Sequence, residues 1–176
     1  ANKGQKVIVV GGDGDGYGIG AGHFVHAARR NIDLTYIVMD NAIYGLTKGQ
    51  VSPTSSLGFV TATTPHGNHE APLNPLALFL ASGGTFLAQG FSGDQKGLAT
   101  LYEEAIEHPG MALVNTFSPC VTFNKVQTYQ FYRDALHTLD GVKVRHDPPS
   151  KQAAMAQVPG GNSDHGPDTN ERRTTP

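Results

Sequence analysis

Residues 7–16 read Val7-Ile-Val-Val-Gly-Gly-Asp-Gly-Asp-Gly16, and residues 36–47 read Tyr36-Ile-Val-Met-Asp-Asn-Ala-Ile-Tyr-Gly-Leu-Thr47. In both stretches an apolar run typical of a buried strand leads into a polar loop that contains glycine. Each loop offers an oxygen ligand for a hard cation, a carboxylate at Asp13 and an amide at Asn41. Glycine lets the backbone approach a phosphate group closely. Together the two loops predict a site for a Mg²⁺ ion that bridges a diphosphate.

Strand and helix signals alternate along the chain. The predicted strands cover residues 7–10, 34–39, 85–88, 111–116 and 142–144, and the predicted helices cover residues 21–30, 76–81, 92–106, 127–139 and 150–157. This alternation predicts an α/β fold in which a parallel sheet carries helices on both faces. The first strand is expected to be buried on both faces, because its residues are continuously apolar. Residues 40–65 are predicted to form a long functional loop.

The topology of such a fold brings the two candidate ligands together. Asp13 follows the first strand and Asn41 follows the second, one strand–helix–strand unit later. A right-handed crossover places both loops at the same edge of the sheet. A carboxylate, an amide oxygen, a backbone carbonyl, two diphosphate oxygens and a water would complete the octahedral shell of Mg²⁺. The glycines fit the dinucleotide-binding pattern only loosely, and a purely structural glycine turn is the other alternative.

Composition limits the remaining classes of function. The 176 residues carry a net charge of −2 and no Lys/Arg cluster, so we expect no nucleic-acid partner. No apolar run approaches the roughly 18 residues of a membrane helix, so we expect no membrane. The single cysteine cannot form an internal disulfide, which favours a cytoplasmic location. The chain begins without Met shortly before its first strand, so we expect an amino-terminally truncated subunit.

Several motifs resemble one known family. Gly12-Asp13-Gly14 followed by Asp40-Asn41 resembles the thiamine-diphosphate motif, with Asp40 in place of the first Asn of its usual Asn-Asn ending. Three longer strings are similar to the β subunit of 2-oxoacid:ferredoxin oxidoreductases, most of all the 2-oxoglutarate type: Gly12-Asp-Gly-Asp-Gly-Tyr-Gly-Ile-Gly20, Asp40-Asn-Ala-Ile-Tyr-Gly-Leu-Thr-Lys-Gly-Gln50 and Ser52-Pro-Thr-Ser55. The resemblance covers residues 7–125. It implies a thiamine-diphosphate-binding domain, which we place at residues 1–157. Residues 158–176 are expected to form a disordered tail, because the chain has no apolar residue from Pro159 onward.

The resemblance also implies a set of ligands. Mg²⁺ is expected to bind the Asp13 carboxylate, the Asn41 side chain and the Ile43 carbonyl. The diphosphate is expected to contact Gly12, Gly14, Asp15, Gly16, Gly45, Leu46 and Thr47. The side chains of Ile43 and Leu46 are expected to pack as well. Lys48 and Gln50 are candidates for contact with substrate or coenzyme A, and solvated loop positions are the alternative.

Cys120 has two interpretations. A lone cysteine is usually a small buried hydrophobic residue. The resemblance implies instead that Cys120 is the fourth ligand of a [4Fe–4S] cluster, whose other three cysteines belong to an amino-terminal segment of the full-length subunit. One thiolate cannot hold a cluster that takes four. We therefore expect the cluster in the full-length subunit only.

By the same resemblance, the function is oxidative decarboxylation of a 2-oxoacid such as 2-oxoglutarate. The expected products are acyl-CoA and CO₂, with electrons passed to ferredoxin. The expected partners are an α subunit, a γ subunit as a further candidate, ferredoxin and coenzyme A. The α subunit is expected to supply most catalytic groups, so no residue of this chain is assigned as an acid or base. A non-redox thiamine-diphosphate enzyme, such as a decarboxylase or carboligase, and a non-catalytic cofactor-binding remnant are the alternatives.

Overall fold

The structure is a computed structural model that describes residues 4–136. Its strands are β1 (Ile8–Gly12), β2 (Leu34–Asp40), β3 (Phe86–Phe91) and β4 (Met111–Phe117). Its α-helices are α1 (Ala21–Arg29), α2 (Pro75–Ala81), α3 (Gln95–Glu107) and α4 (Tyr129–Ala135), and one turn of wide π-helix covers Gly14–Ile19. The four strands are parallel and lie in the order β1-β2-β4-β3. The predicted α/β fold with a parallel sheet is confirmed.

Helices cover both faces of the sheet. The apolar residues of β4 alternate between the two faces, as the pleat of a strand requires. Met111 and Leu113 belong to a core that includes Phe24 of α1 and Phe79 of α2. Ala112 and Val114 belong to a second core that includes Ala105 of α3. The sheet is therefore sandwiched between α1 and α2 on one side and α3 on the other.

The first strand departs from the prediction. Val7, Ile8, Val9 and Val10 are between 39% and 64% exposed, so the expected burial on both faces is wrong. Among the described residues β1 pairs with β2 alone and lies at one edge of the sheet. An apolar run predicts a strand, but its burial depends on which elements lie beside it. The sequence pattern cannot identify the edge position.

Capping side chains mark where α2 and α3 begin. The Asn74 side chain accepts a 3.0 Å hydrogen bond from the Ala77 nitrogen, and Pro75 occupies the first helical position of α2. Asp94 caps α3 in the same way, which moves the start of that helix three residues beyond the predicted Ser92. β3 extends past its predicted end at residue 88, because pairing with β4 continues as far as Phe91.

Some predictions fall outside the described residues. These are the strand at 142–144, the helix at 150–157 and the tail at 158–176. The helix predicted at 127–139 is shorter, since α4 covers Tyr129–Ala135 and Leu136 is extended. Within residues 4–136, no helix is long and apolar enough to cross a membrane. The longest described helix, α3, has 13 residues.

Candidate cofactor and metal site

The two predicted ligand loops lie side by side at the carboxyl ends of β1 and β2. Gly12 stands in register with Met39, so Asp13 leaves the sheet at the same level as the second loop. The Asn41 backbone nitrogen donates a 3.4 Å hydrogen bond to Asp13 Oδ1. The Asp13 side chain is only 1% exposed. The structure therefore brings together the two loops that the sequence placed at one sheet edge.

A wide helical turn follows Asp13 immediately. The Gly20 nitrogen closes this turn with a 2.7 Å hydrogen bond to the Asp15 carbonyl. A Cβ atom at Gly14 would lie 2.2 Å from Tyr44 Cε1, and the Tyr44 hydroxyl donates a 2.9 Å hydrogen bond to the Gly14 carbonyl. A Cβ at Gly16 would lie 2.3 Å from the Tyr36 hydroxyl. Positions 14 and 16 therefore require glycine, because the two tyrosine side chains leave no room for a Cβ atom there.

The second loop turns sharply after Asn41. Asn41 Oδ1 accepts a 3.0 Å hydrogen bond from the Ile43 nitrogen, the local turn that asparagine favours. The Asn124 side chain donates a 3.1 Å hydrogen bond to the Asn41 carbonyl and fixes the loop from outside. Ile43 is 3% exposed, and its carbonyl accepts no hydrogen bond from the described residues. A buried carbonyl of this kind needs a partner.

The oxygen atoms of Asp13, Asn41 and Ile43 fit a Mg²⁺ ion as ligands. Asp13 Oδ1 has only the long contact with Asn41 among residues 4–136, and the Ile43 carbonyl lacks a partner there. Carboxylate, amide and carbonyl oxygens are the hard ligands that Mg²⁺ prefers. Gly12 leaves open space beside the backbone of the first loop, since nothing lies within 4 Å of the position that its Cβ would occupy. That is the surface a diphosphate requires.

A third loop, residues 52–55, supports Asp13 from behind, and we call it the hydroxyl loop. Ser52 Oγ donates a 2.5 Å hydrogen bond to Asp13 Oδ2, and Thr54 Oγ1 donates one of 2.8 Å to the same oxygen. Ser55 Oγ donates a 2.7 Å hydrogen bond to the Ala42 carbonyl, which attaches the hydroxyl loop to the second ligand loop. The hydroxyl loop is thereby tied to both ligand loops.

A second buried acid lies beneath Asp13. Thr54 Oγ1 stands 2.8 Å from Asp40 Oδ1 and carries one proton, so Asp13 and Asp40 share this donor. Asp40 Oδ2 accepts a 3.1 Å hydrogen bond from Asn115 Nδ2, and Asn115 Oδ1 accepts one of 2.7 Å from the Tyr17 hydroxyl. Burial first, and then the charge of Asp13, raise the pKa of Asp40 to about 6. The hydrogen bonds from Thr54 and Asn115 oppose that rise.

Cys120 lies against the second ligand loop. Its Sγ is 3.5 Å from the position that a Cβ of Gly45 would occupy. Partial burial raises the pKa of the Cys120 thiol. Four groups outweigh burial and lower that pKa below its ordinary value: the backbone N–H groups of Phe123, Thr122 and Asn124, and the Lys125 ammonium. This surrounding favours a thiolate, the form that binds metal.

Several of the predicted contact residues are exposed. Leu46 is 100% exposed, so the expectation that its side chain packs is wrong. Leu46 and Lys48 stand in the exposed connection of a hairpin that the Tyr44–Gln50 bridge closes, and no strand within the described residues covers that connection. The exposed Asp15 places its carboxylate beside Gly11. Thr47 is also exposed and exchanges hydrogen bonds with Gln50.

Sequence reasoning missed the residues behind the ligands, namely Ser52, Thr54, Asn115, Tyr17 and Tyr44. One signal for Asn115 existed, since it interrupts the apolar strand Met111–Phe117 with a fully buried amide. Such a residue needs partners, and they turned out to be Tyr17 and Asp40. The hydroxyls at 52 and 54 belong to the Ser52-Pro-Thr-Ser55 string, but the string assigned them no role, because serine and threonine are ordinary loop residues.

Several known proteins are similar to this chain in sequence. Residues 1–116 match the family described as thiamine pyrophosphate enzyme, C-terminal TPP binding domain. Residues 120–163 match the family that describes the C-terminal part of the pyruvate ferredoxin oxidoreductase beta subunit. The chain is 49% identical over 140 residues to the 2-oxoacid:ferredoxin oxidoreductase subunit beta of Saccharolobus solfataricus, covering 80% of this chain and 46% of that protein. It is 42% identical over 149 residues to the 2-oxoglutarate oxidoreductase subunit KorB of Mycobacterium tuberculosis, covering 85% and 40%.

A solved structure agrees with the fold. The structure is that of 2-oxoglutarate:ferredoxin oxidoreductase from Magnetococcus marinus with 2-oxoglutarate, coenzyme A and succinyl-CoA bound. Its TM-score to this chain is 0.79, and its sequence is 50% identical. The match covers 86% of this chain and 52% of that chain. The chain thus spans about half the length of the relatives it matches. On the family match over residues 1–116, the chain belongs to the thiamine pyrophosphate enzymes and carries their C-terminal TPP-binding domain.

Proposed function

We propose that this chain anchors the diphosphate of thiamine diphosphate through a Mg²⁺ ion. The Asp13 carboxylate, the Asn41 side chain and the Ile43 carbonyl would supply the three protein ligands. One observation carries the proposal: the Asn41 nitrogen lies 3.4 Å from Asp13 Oδ1, at the carboxyl ends of two neighbouring parallel strands. Ligands of open α/β sheets bind at such a place.

The diphosphate would lie over the two glycine-containing loops. Its proposed contacts are Gly12, Gly14, Asp15 and Gly16 in the first loop, and Gly45, Leu46 and Thr47 in the second. Because the Asp15 carboxylate stands beside Gly11, Asp15 would contribute through its backbone. The exposed Leu46 would contribute in the same way. Backbone N–H groups at the start of a helical turn favour negative charge, which supports this placement.

We further propose that the chain belongs to the β subunit of a 2-oxoacid:ferredoxin oxidoreductase acting on 2-oxoglutarate. The names of the Mycobacterium tuberculosis relative and of the Magnetococcus marinus structure support this substrate. Bound thiamine diphosphate would supply the chemistry that cleaves the bond between the carboxylate and the 2-oxo carbon. The overall reaction consumes the 2-oxoacid, coenzyme A and oxidised ferredoxin, and releases CO₂, acyl-CoA and reduced ferredoxin.

The residues of this chain would act by positioning. Asp13 and Asn41 would fix the ion, the glycine turn would admit the diphosphate, and the hydroxyl loop would hold the Asp13 carboxylate. Catalytic acids and bases would come from the α subunit. Ferredoxin and coenzyme A would be the further partners, with a γ subunit as a candidate, in a cytoplasmic enzyme. Lys48 and Gln50 border the cofactor loop and are our candidates for contact with coenzyme A or substrate.

Cys120 would bind iron in the holoenzyme. The lowered pKa of its thiol supports a ligand role, because a thiolate is the form that binds an iron–sulfur cluster. The chain contains one cysteine, so the other three ligands of a [4Fe–4S] cluster would lie outside these 176 residues. The cluster is thus proposed for the full-length subunit only.

Calorimetric titration with Mg²⁺ and thiamine diphosphate tests the anchor. Wild-type chain should bind the cofactor in a Mg²⁺-dependent way, and Asp13→Ala or Asn41→Ala should abolish that binding. Asp134→Ala, on the exposed side of α4, is the matched control and should bind like wild type. Unchanged affinity in Asp13→Ala would overturn the anchor. Reconstitution with an α subunit should then give 2-oxoglutarate-dependent viologen reduction, whereas 2-oxoglutarate decarboxylation without reduction would favour a non-redox enzyme.

A further inference from the structure

We propose that the Ser52 and Thr54 hydroxyls make Asp13 a one-oxygen ligand and thereby select Mg²⁺ over Ca²⁺ at the proposed cofactor site. The inference rests on the proposed function, since it names what sets the choice of cation at the same carboxylate. Ser52 and Thr54 would be positioning residues that act through Asp13. They would touch neither the ion nor the cofactor.

The two oxygens of Asp13 have different surroundings. Oδ2 accepts hydrogen bonds from Ser52 at 2.5 Å and from Thr54 at 2.8 Å. A carboxylate oxygen offers two lone-pair positions in the plane of the group. At Oδ2 the Ser52 hydroxyl takes one of them, and the Thr54 hydroxyl stands at the other with a proton that it shares with Asp40 Oδ1. Within residues 4–136, Oδ1 has only the 3.4 Å contact with the Asn41 nitrogen. Oδ1 is therefore the oxygen available to a cation.

This difference matters for the choice of cation. Mg²⁺ requires near-octahedral geometry, whereas Ca²⁺ accepts more ligands and often binds both oxygens of one carboxylate. When two hydroxyl groups hold the second oxygen of a carboxylate, that oxygen is not free to bind a cation together with the first one. The arrangement suits Mg²⁺ and withholds from Ca²⁺ the bidentate contact that it favours.

The hydroxyl loop is rigid enough for this role. Ser52 and Ser55 are 7% and 1% exposed. The Ser52 nitrogen donates a 2.8 Å hydrogen bond to Ser55 Oγ, within the loop itself. The buried Asn68 side chain donates to the Ser55 carbonyl at 3.3 Å and to the Ser56 carbonyl at 3.2 Å. Outer groups that are fixed in this way orient a metal ligand and tune its affinity.

Calorimetric titrations of the purified chain with thiamine diphosphate, using Mg²⁺ or Ca²⁺ as the only divalent cation, test the inference. Thr54→Val removes a hydroxyl at nearly constant volume, and Ser52→Ala removes the other. Each should lower the Mg²⁺-supported affinity about tenfold and leave the Ca²⁺-supported affinity unchanged or higher. Thr54→Ser restores the hydroxyl and should restore the wild-type ratio. Thr100→Val, on the exposed face of α3, is the matched control and should behave like wild type.

The outcomes separate the two proposals. A wild-type chain that folds but shows no cation-dependent cofactor binding would overturn the proposed function. Wild-type binding with an unchanged Mg²⁺-to-Ca²⁺ ratio in both hydroxyl variants would overturn this inference and leave the proposed function intact. An equal loss with both cations would show a merely structural role and would also overturn it. If Thr54→Val fails to fold by circular dichroism, Ser52→Ala decides by the same ratio.

Discussion

The Tyr44 hydroxyl donates a 2.9 Å hydrogen bond to the Gly14 carbonyl, and the Tyr44 ring fills the space above the Gly14 Cα. This contact joins the two ligand loops directly, across 30 residues of sequence. The glycine is thus required by a partner from the other loop. The contact between the Tyr44 ring and Gly14 can be tested by substituting the glycine.

Gly14→Ala should destabilise the fold by about 1–3 kcal/mol, because its Cβ would overlap the Tyr44 ring. Gly22→Ala is the control: Gly22 lies in α1 with open space around its Cα, so alanine should stabilise the chain by about 0.5–1 kcal/mol. Thermal unfolding measures both. Equal stability of the two variants would contradict the packing of Tyr44 on Gly14.

Asn115→Leu should destabilise the fold by about 2–4 kcal/mol, because it leaves the Tyr17 hydroxyl and the Asp40 carboxylate buried with one partner fewer each. Tyr17→Phe removes only the hydroxyl and should cost about 1 kcal/mol. Denaturant unfolding of the two single variants and the double variant gives the coupling energy between these residues. Strictly additive effects would argue against a connected buried network.

The raised pKa of Asp40 predicts a pH dependence of stability in the absence of cation and cofactor. Folding raises this pKa from 3.8 to about 6, so between those values the folded chain holds a proton that the unfolded chain has released. The stabilisation from that proton is complete below pH 3.8 and is lost as the pH rises through about 6. The loss amounts to at most about 3 kcal/mol.

Asp40→Asn isolates this effect, since an amide does not titrate. The difference in unfolding free energy between wild type and Asp40→Asn should change across that pH window and be constant above it. Urea unfolding at a series of pH values measures the difference. A difference that stays flat from acid to neutral pH would mean that folding leaves the pKa of Asp40 unchanged.

The lowered pKa of Cys120 predicts a reactive thiolate in the isolated chain. Alkylation with iodoacetamide at neutral pH should be faster than for a free cysteine, because the thiolate is the nucleophile. Lys125→Met removes one of the groups that lower the pKa and should slow the reaction. The chain has one cysteine, so the measured rate belongs to Cys120 alone. A rate that rises in Lys125→Met would contradict the assigned electrostatics.

In the full-length protein, Cys120→Ser should remove the visible absorbance of the iron–sulfur cluster and leave thiamine diphosphate binding nearly intact. Cofactor binding should persist because Cys120, which packs beside Gly45, shares no hydrogen bond with Asp13 or Asn41 among the described residues. An unaltered iron content would rule out the ligand role.

Local patterns were sufficient for the elements and for the two ligand loops. Apolar runs predicted β2 and β4, and Asn74 with Pro75 predicted the start of α2, because periodicity and capping act between residues a few positions apart. The convergence of Asp13 and Asn41 followed from the handedness of the strand–helix–strand unit. These features depend on rules that apply to any chain of this pattern.

Tertiary packing decided the rest. The exposure of β1 depends on its place at the edge of the sheet, which an apolar run does not encode. Ser52 and Thr54 reach Asp13 across 39 and 41 residues, and Asn115 reaches Asp40 across 75. A buried carboxylate must find donors wherever the fold supplies them. Which donors those are is fixed by how the loops pack on one another, and loop packing leaves no periodic trace in the sequence.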